Sequence, residues 1–225
     1  YGRILATPKP GWENTDVIGF FRSVLGEDLP IGFDTDVNAA VLAESRWGAG
    51  QGFGNLVYLT IGTGIGGGAS VNSQILHGYA HPEMGHMLLP IHSSEGNFTG
   101  ICPFHGACLE GLASGPAIEA RWNQKAANLA PDHPAWQLEA YYLALGLMNI
   151  CLTLAPERII LGGGVMNQSF LFPLIRSELT RLLGNYLRLP QIADMESYVV
   201  PTGLAGIAGL YGGLALAHQA EQNQR

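Results

Sequence analysis

Between residues 83 and 111 the chain reads EMGHMLLPIHSSEGNFTGICPFHGACLEG, and no other stretch constrains the fold as tightly. Cys102, His105 and Cys108 follow at intervals of three, and His86 lies sixteen residues ahead of Cys102. Thiolates and imidazoles together are the donor set that zinc takes in tetrahedral sites. A Cys-x2-His-x2-Cys run supplies three ligands, so a fourth has to come from His86, His81 or His92. Glu83 and Glu110 stand among these residues without being needed by the metal. The physical reading is a loop pinned by zinc, so that polar groups beside it are held still for a ligand. A disulfide between Cys102 and Cys108, or two plain thiols, is the competing reading. The chain has 3 cysteines, and the third, Cys151, sits in the apolar run LALGLMNICLTLA, where a buried small hydrophobe is expected. An odd count without a leader-like opening favours a reducing compartment over a disulfide framework.

A length of 225 residues fits one large domain or two modest ones. The 31 glycines are about twice the ordinary share, and the 13% of charged residues is about half of it. Much of the chain is therefore expected in tight turns and buried backbone. A net charge of -7 offers no basic footprint for nucleic acid. No apolar run approaches the ~18 residues of a membrane span. A soluble, cytoplasmic protein is the expectation.

Helical spacing of apolar residues predicts helices over 16–25, 36–47, 116–127, 136–154, 169–183 and 204–219. The second is capped by Asp34, Thr35 or Asp36 and stopped by Gly48. Strands are expected over 31–33, 55–60, 65–71, 158–161 and 197–200, the second and third joined across a glycine turn. Pro8, Pro10 and Gly11 signal a loop near the start, and the closing EQNQR reads as a frayed tail. Strands alternate with helices, so the class is α/β.

Three strand ends carry chemistry-bearing residues. In IGTGIGGG (residues 61–68) the glycines free backbone N–H groups to crowd an anion, and Thr63 adds a hydroxyl. No Lys-Ser/Thr follows, so this is not a P-loop, and a plain hairpin turn is the competing reading. In LGGGVM (residues 161–166) a strand ends in Gly162, Gly163 and Gly164, which suits a nucleotide at the sheet's carboxyl edge or simply a close strand–helix crossing. In DTDVN (residues 34–38) Asp36 is either an ordinary helix cap or a carboxylate placed to accept a proton as an alcohol attacks a phosphoryl group. Negative charge is favoured at a helix N-terminus.

The motifs DTDVNAA, TIGTGIGGG, HPEMGH, CPFHGACLEGLASGPAIE and IILGGGVM, in this order, resemble the ROK family (repressors, open reading frames and sugar kinases), most closely its bacterial fructokinase branch. The resemblance implies an actin/hexokinase-like (ribonuclease H-like) two-domain α/β fold with ATP and a sugar in the cleft. Residues 1–48 are then a remnant of the small domain, 49–201 the large domain, and 202–225 a closing helix and polar tail. It further implies Asp36 as the general base and Thr35, Glu83, His86 and Glu110 as sugar-binding residues. His86, Cys102, His105 and Cys108 become the zinc ligands, His86 giving one ring nitrogen to the metal and the other to the sugar. Gly62, Thr63 and Gly64 match the phosphate loop, and Gly162, Gly163 and Gly164 the adenosine region. ATP with magnesium is the implied donor, fructose the implied acceptor, and a homodimer without membrane or nucleic-acid partner the implied state. The competing readings are a sugar-responsive ROK regulator and a kinase for glucose, mannose or N-acetylmannosamine.

Two departures from the family pattern stand out. Many members have Asn where this chain has Thr35, which loosens any inference of glucose. The family's opening Asp-x-Gly-Gly-Thr-Lys hairpin is absent, and the chain starts at Tyr1. The resemblance thus implies a truncated small domain lacking roughly 60–75 residues, a sizeable part of a domain. This leads to the expectation that the fragment alone phosphorylates sugar poorly.

Overall fold

The computed structural model describes residues 2–5 and 10–222. Of the expected loop and tail, Pro8 and residues 223–225 lie outside the described residues. The helices are α1 (Val17–Leu25), α2 (Asp36–Trp47), α3 (Leu109–Ala113), α4 (Gly115–Trp122), α5 (Ala135–Leu154), α6 (Leu171–Leu183), α7 (Pro190–Ala193), α8 (Met195–Tyr198) and α9 (Ala208–Gln222). The strands are β1 (Leu56–Ile61), β2 (Ile65–Val71), β3 (Gln74–Ile75), β4 (Arg158–Gly162) and β5 (Val199–Pro201), and they form one sheet in the order β3-β2-β1-β4-β5. The β1–β2 and β2–β3 pairs are antiparallel, whereas β1–β4 and β4–β5 are parallel.

The run LVYLTI is apolar throughout because β1 lies at the middle of a sheet covered on both faces. Its alternate side chains serve two cores. Val57, Leu59 and Ile61 join Leu109, Leu112, Leu143, Leu147 and Ile175 from α3, α5 and α6 on one face. Leu56 and Tyr58 join Val37, Ala40 and Val41 of α2 and Ile160 of β4 on the other. Cys151 fills part of the first core as expected, 1% exposed and unbridged.

Helix α2 begins at Thr35, whose Oγ1 accepts the Asn38 N–H at 3.2 Å, and it stops at Gly48. Helix α9 lies along it. A Cβ at Gly212 would sit 2.8 Å from Ala39, so only glycine permits this approach. Trp47 meets Tyr211 edge-on at 5.3 Å near the far end of the contact. Glu44, a carboxylate in α2 that is 0% exposed, ties this helix to the segment 202–204 that precedes α9. It accepts N–H bonds from Ala49 (2.7 Å), Gly203 (3.0 Å) and Leu204 (3.0 Å), and a hydroxyl bond from Thr202. A buried charge is tolerable here because backbone donors surround it.

Some elements depart from their expected bounds. Residues 31–33 form no strand in the ladders described, although Gly32 passes so close to α9 that a Cβ would lie 2.6 Å from the Leu216 carbonyl oxygen. The helix expected over 116–127 ends at Trp122 because Asn123 takes the left-handed conformation, and a short 3-10 turn, Ala126–Asn128, follows. Ser197 belongs to the single turn α8, capped by Asp194, so the strand begins at Val199. The closing helix starts at Ala208, four residues later than its spacing predicted.

Glu44→Ala is expected to destabilise the protein by about 3 kcal/mol or more in urea denaturation, because it strands several buried N–H groups at once. A loss below ~1 kcal/mol would show that those groups find other partners.

Candidate functional site

The segment from Glu83 folds as a knot around its cysteines. The 3-10 turn Met84–His86 packs onto the start of β2, and a Cβ at Gly85 would fall 1.7 Å from the Ile65 carbonyl oxygen. The chain then runs out and returns. Leu88 pairs with Cys108 and Cys102 with Gly106 as isolated bridges, and Ile101 N–H donates to the Gly111 carbonyl at 3.0 Å. Gly106 turns with φ 58°, where glycine is unstrained. The excursion between His86 and Cys102 is anchored by a buried ion pair. Glu95 accepts from Arg121 Nε at 2.8 Å and from the Tyr142 hydroxyl at 2.6 Å. The pair's side chains are only 2% and 6% exposed.

This folding gathers the metal-ligand candidates. One donor atom each from His86, Cys102, His105 and Cys108 lies within 4.8 Å of the others, and no disulfide forms. His86 Nδ1 is 3.5 Å from Cys108 Sγ and 3.8 Å from Cys102 Sγ; His105 Nδ1 is 3.7 Å from Cys102 Sγ. Zinc bonds of ~2.0–2.1 Å to nitrogen and ~2.3 Å to sulfur give N···S edges of roughly 3.5 Å in a tetrahedron. The donor set and its spacing therefore fit zinc. Burial, with help from Cys102 and Glu110, pushes the Cys108 thiol up to about 11 in the metal-free protein. A metal binding there has to expel that proton. The other two candidates for fourth ligand are used elsewhere. His81 pairs with Glu83 at 2.9 Å, and His92 Nδ1 meets Ser94 Oγ at 2.7 Å.

Cys108 also caps α3, its Sγ accepting the Gly111 N–H at 3.4 Å. Glu110, in the first turn of α3, reaches from the knot to the glycine turn and accepts the Ile65 N–H at 2.9 Å. Gly64 has to be glycine for this, since a Cβ there would lie 2.5 Å from Glu110 Oε2. The Gly115 N–H donates to the Gly62 carbonyl at 2.8 Å, so the start of α4 holds the same turn. The second glycine site lies against the first. Gly163 has φ 93°, and a Cβ on it would lie 2.3 Å from the Ile61 carbonyl oxygen. Both turns thus leave the carboxyl ends of the parallel strands β1 and β4. A Cβ at Gly62 or at Gly164 would meet nothing within 4 Å, and Thr63 is exposed. The backbone at these points is open to a ligand.

Asp36 opens α2 and is exposed, with Oδ1 accepting the Val37 N–H at 2.9 Å. The Thr35 hydroxyl oxygen accepts the Asn38 N–H as the helix cap, which leaves its O–H to donate. The glycines of β2 bring these pieces together. Cβ atoms at Gly66 and Gly68 would collide with Val37 at 2.9 and 2.7 Å, and one at Gly67 with Met84 at 2.8 Å. Three residues beside Asp36 escaped the sequence reading. Asp34, considered only as a cap, bonds both Asn38 Nδ2 at 2.7 Å and His77 Nε2 at 3.0 Å. Asn38 Nδ2 also lies 3.4 Å from His77 Nε2, 39 positions away, a separation that gives no local signal of contact. The buried Glu95–Arg121–Tyr142 group was equally invisible.

These features define a mixed α/β protein of actin/hexokinase-like fold, with a cysteine–histidine metal cradle beside two glycine turns. The chain belongs to the ROK family, whose family model matches residues 1–220. It is 45% identical to the fructokinase of Lactococcus lactis subsp. cremoris, over 97% of this chain and 73% of that protein. It is 42% identical to the fructokinase of Zymomonas mobilis, over 98% of this chain and 72% of the relative. Among solved structures, the ROK hexokinase from Thermus thermophilus matches with a TM-score of 0.78 at 26% identity, covering 98% of this chain and 75% of that one.

Protein purified without chelator is expected to carry about one zinc per chain, and X-ray absorption should show two sulfur and two nitrogen neighbours. Zinc affinity should fall as pH is lowered, since protons compete for Cys108 and its partners. Zinc-free preparations with unchanged stability would count against the site.

Proposed function

We propose that this chain transfers the γ-phosphoryl group of ATP to fructose, giving fructose 6-phosphate. The observation that carries this reading is identity above 40% with fructokinases over nearly the whole chain, combined with a site that keeps Asp36, Glu83, His86 and Glu110. Asp36 is the base. It stands exposed at a helix N-terminus, where negative charge is favoured, and takes the hydroxyl proton as the sugar oxygen attacks. Glu83 and the Nε2 of His86 bind sugar hydroxyls, with Nδ1 of His86 turned to the two sulfurs. Glu110 uses one oxygen on the Ile65 N–H and has a second for the sugar.

Gly62, Thr63 and Gly64 receive the phosphates, and Gly162, Gly163 and Gly164 the adenosine, at the crevice where β1 and β4 end. Magnesium enters with the nucleotide and neutralises charge on the transferred group. Zinc on His86, Cys102, His105 and Cys108 is structural; it holds the ring of His86 and the helix bearing Glu110 in place. The division into 1–48, 49–201 and 202–225 belongs to the same reading. Helix α9 lies along α2, which itself packs on the sheet through Val37, Ala40 and Val41. The reading extends to a cytoplasmic homodimer. Exposed Leu210 and Leu214 on α9 offer apolar surface for association. No described helix is long and apolar enough to cross a membrane.

Asp36→Asn is expected to lower turnover by ~10²-fold or more while the sugar KM changes little, as for loss of a general base. Near-normal turnover would reduce Asp36 to a helix cap. A panel of fructose, glucose, mannose and N-acetylmannosamine decides the acceptor, and a several-fold preference for any but fructose overturns it.

A further inference from the structure

The carboxylate two residues before Asp36 is tied to more of the molecule than Asp36 itself. The Asp34 side chain is only 11% exposed. Its Oδ1 accepts the Thr35 N–H and the Asn38 Nδ2, each at 2.7 Å, and its Oδ2 accepts His77 Nε2 at 3.0 Å. Asn38 is 0% exposed. Its amide is turned so that the donor end serves Asp34, which leaves Oδ1 buried without a hydrogen-bond partner among the described residues. An orphaned buried acceptor of this kind is costly, so its persistence marks an orientation that the surroundings enforce. Gly68 completes the enforcement, since a Cβ there would lie 2.8 Å from that same oxygen.

His77 is held from the other side. Its neighbour Leu76 donates to the Ala69 carbonyl of β2 at 2.9 Å, and the turn closed by Gly78 and Ala80 at 2.9 Å follows directly. That turn leads into the loop bearing Glu83 and His86. Asp36, by contrast, has only the adjacent Val37 N–H as a hydrogen-bond partner among the described residues, so its direction follows from the backbone of residues 34–38.

We propose that Asp34 is a positioning residue for the reaction, clamped by Asn38 and His77 so that the start of α2 and the sugar-binding loop after β3 keep one fixed relation. The proposal rests on the reading of Asp36 as base. A displacement of ~1 Å at a reacting group can cost ~10²-fold in rate, so a clamp of this kind has kinetic weight. His77 is half exposed and supplies only the outer bond, which makes it the place to test the clamp without disturbing the core.

Hydrogen exchange on the intact chain reads the clamp without turnover. In His77→Ala the Val37, Asn38 and Ala39 amides are expected to exchange about tenfold faster, with the denaturation midpoint little changed. His77→Gln keeps a neutral N–H donor for Asp34 and should restore slow exchange. Unchanged exchange in His77→Ala overturns the clamp. With fructose and MgATP, His77→Ala should lower kcat about tenfold with KM within ~twofold, and His77→Gln should retain most of kcat. A raised KM with kcat preserved would assign His77 to sugar binding, and faster exchange with unaltered kinetics would make the clamp purely structural. Either result overturns the positioning role. If the parent chain phosphorylates no sugar on the panel, the kinase reading fails by itself, and the exchange data still decide whether the clamp exists.

Discussion

The site depends on how closely two pieces of backbone approach β2. Glycines at 66, 67 and 68 remove the side chains that would otherwise hold neighbours about a residue's width away. Val37 of α2 occupies the space over Gly66 and Gly68, and Met84 of the 3-10 turn occupies the space over Gly67. By the alternation of a strand, these two neighbours lie on opposite faces of the sheet. The exposed carboxylate of Asp36 and the Glu83–His86 pair are thereby brought to one strand from two sides. A methyl group at any of these glycines would push one of the partners away.

A second constraint joins the metal cradle to the glycine turns. Cys108, Glu110 and Gly115 lie within two short consecutive helices and contact, in turn, the metal cluster, the Ile65 N–H and the Gly62 carbonyl. Ordering of the cluster is thus transmitted over a few bonds to the backbone that faces open space. The long excursion between His86 and Cys102 costs chain entropy, which the buried Glu95–Arg121–Tyr142 group offsets by fixing its middle. Arg121 lies over the Phe98 ring at 4.3 Å, so its packing as well as its charge secures the excursion. Nearby Glu139 is 1% exposed, and burial pushes its carboxyl well above the usual range, with Arg121 offsetting only part of the shift.

Local chemistry made much of this legible. The apolar run of β1, the Thr35 and Gly48 boundaries of α2 and the grouping of Cys102, His105 and Cys108 are all written in short-range spacing. Errors arose where the outcome depended on distant partners or on one residue's backbone conformation. Asn123 ends α4 by adopting the left-handed region, and Ser197 joins a helical turn capped by Asp194 instead of the strand. The IGTGIGGG run offers glycines for an anion along its length, yet a Cβ would meet open space only at Gly62. The glycines of the strand itself serve close packing.

By itself the sequence determined the α/β class, the donor types and spacing of the metal cluster, the cap of α2 and the family to which the chain belongs. These follow from residues near one another in the chain, whose chemistry is complete at short range. Spacing left His86, His81 and His92 open and the family resemblance pointed to His86, which the structure brings to the cysteines; only the tertiary structure decided that Glu110 reaches the Ile65 N–H and that Asp34 meets His77. Glu44 belongs with these, because the N–H groups that make its burial tolerable lie near residue 203 and not on its own helix. In each case the partner is set by which backbones pack together, and that packing rests on contacts that pattern and propensity do not encode.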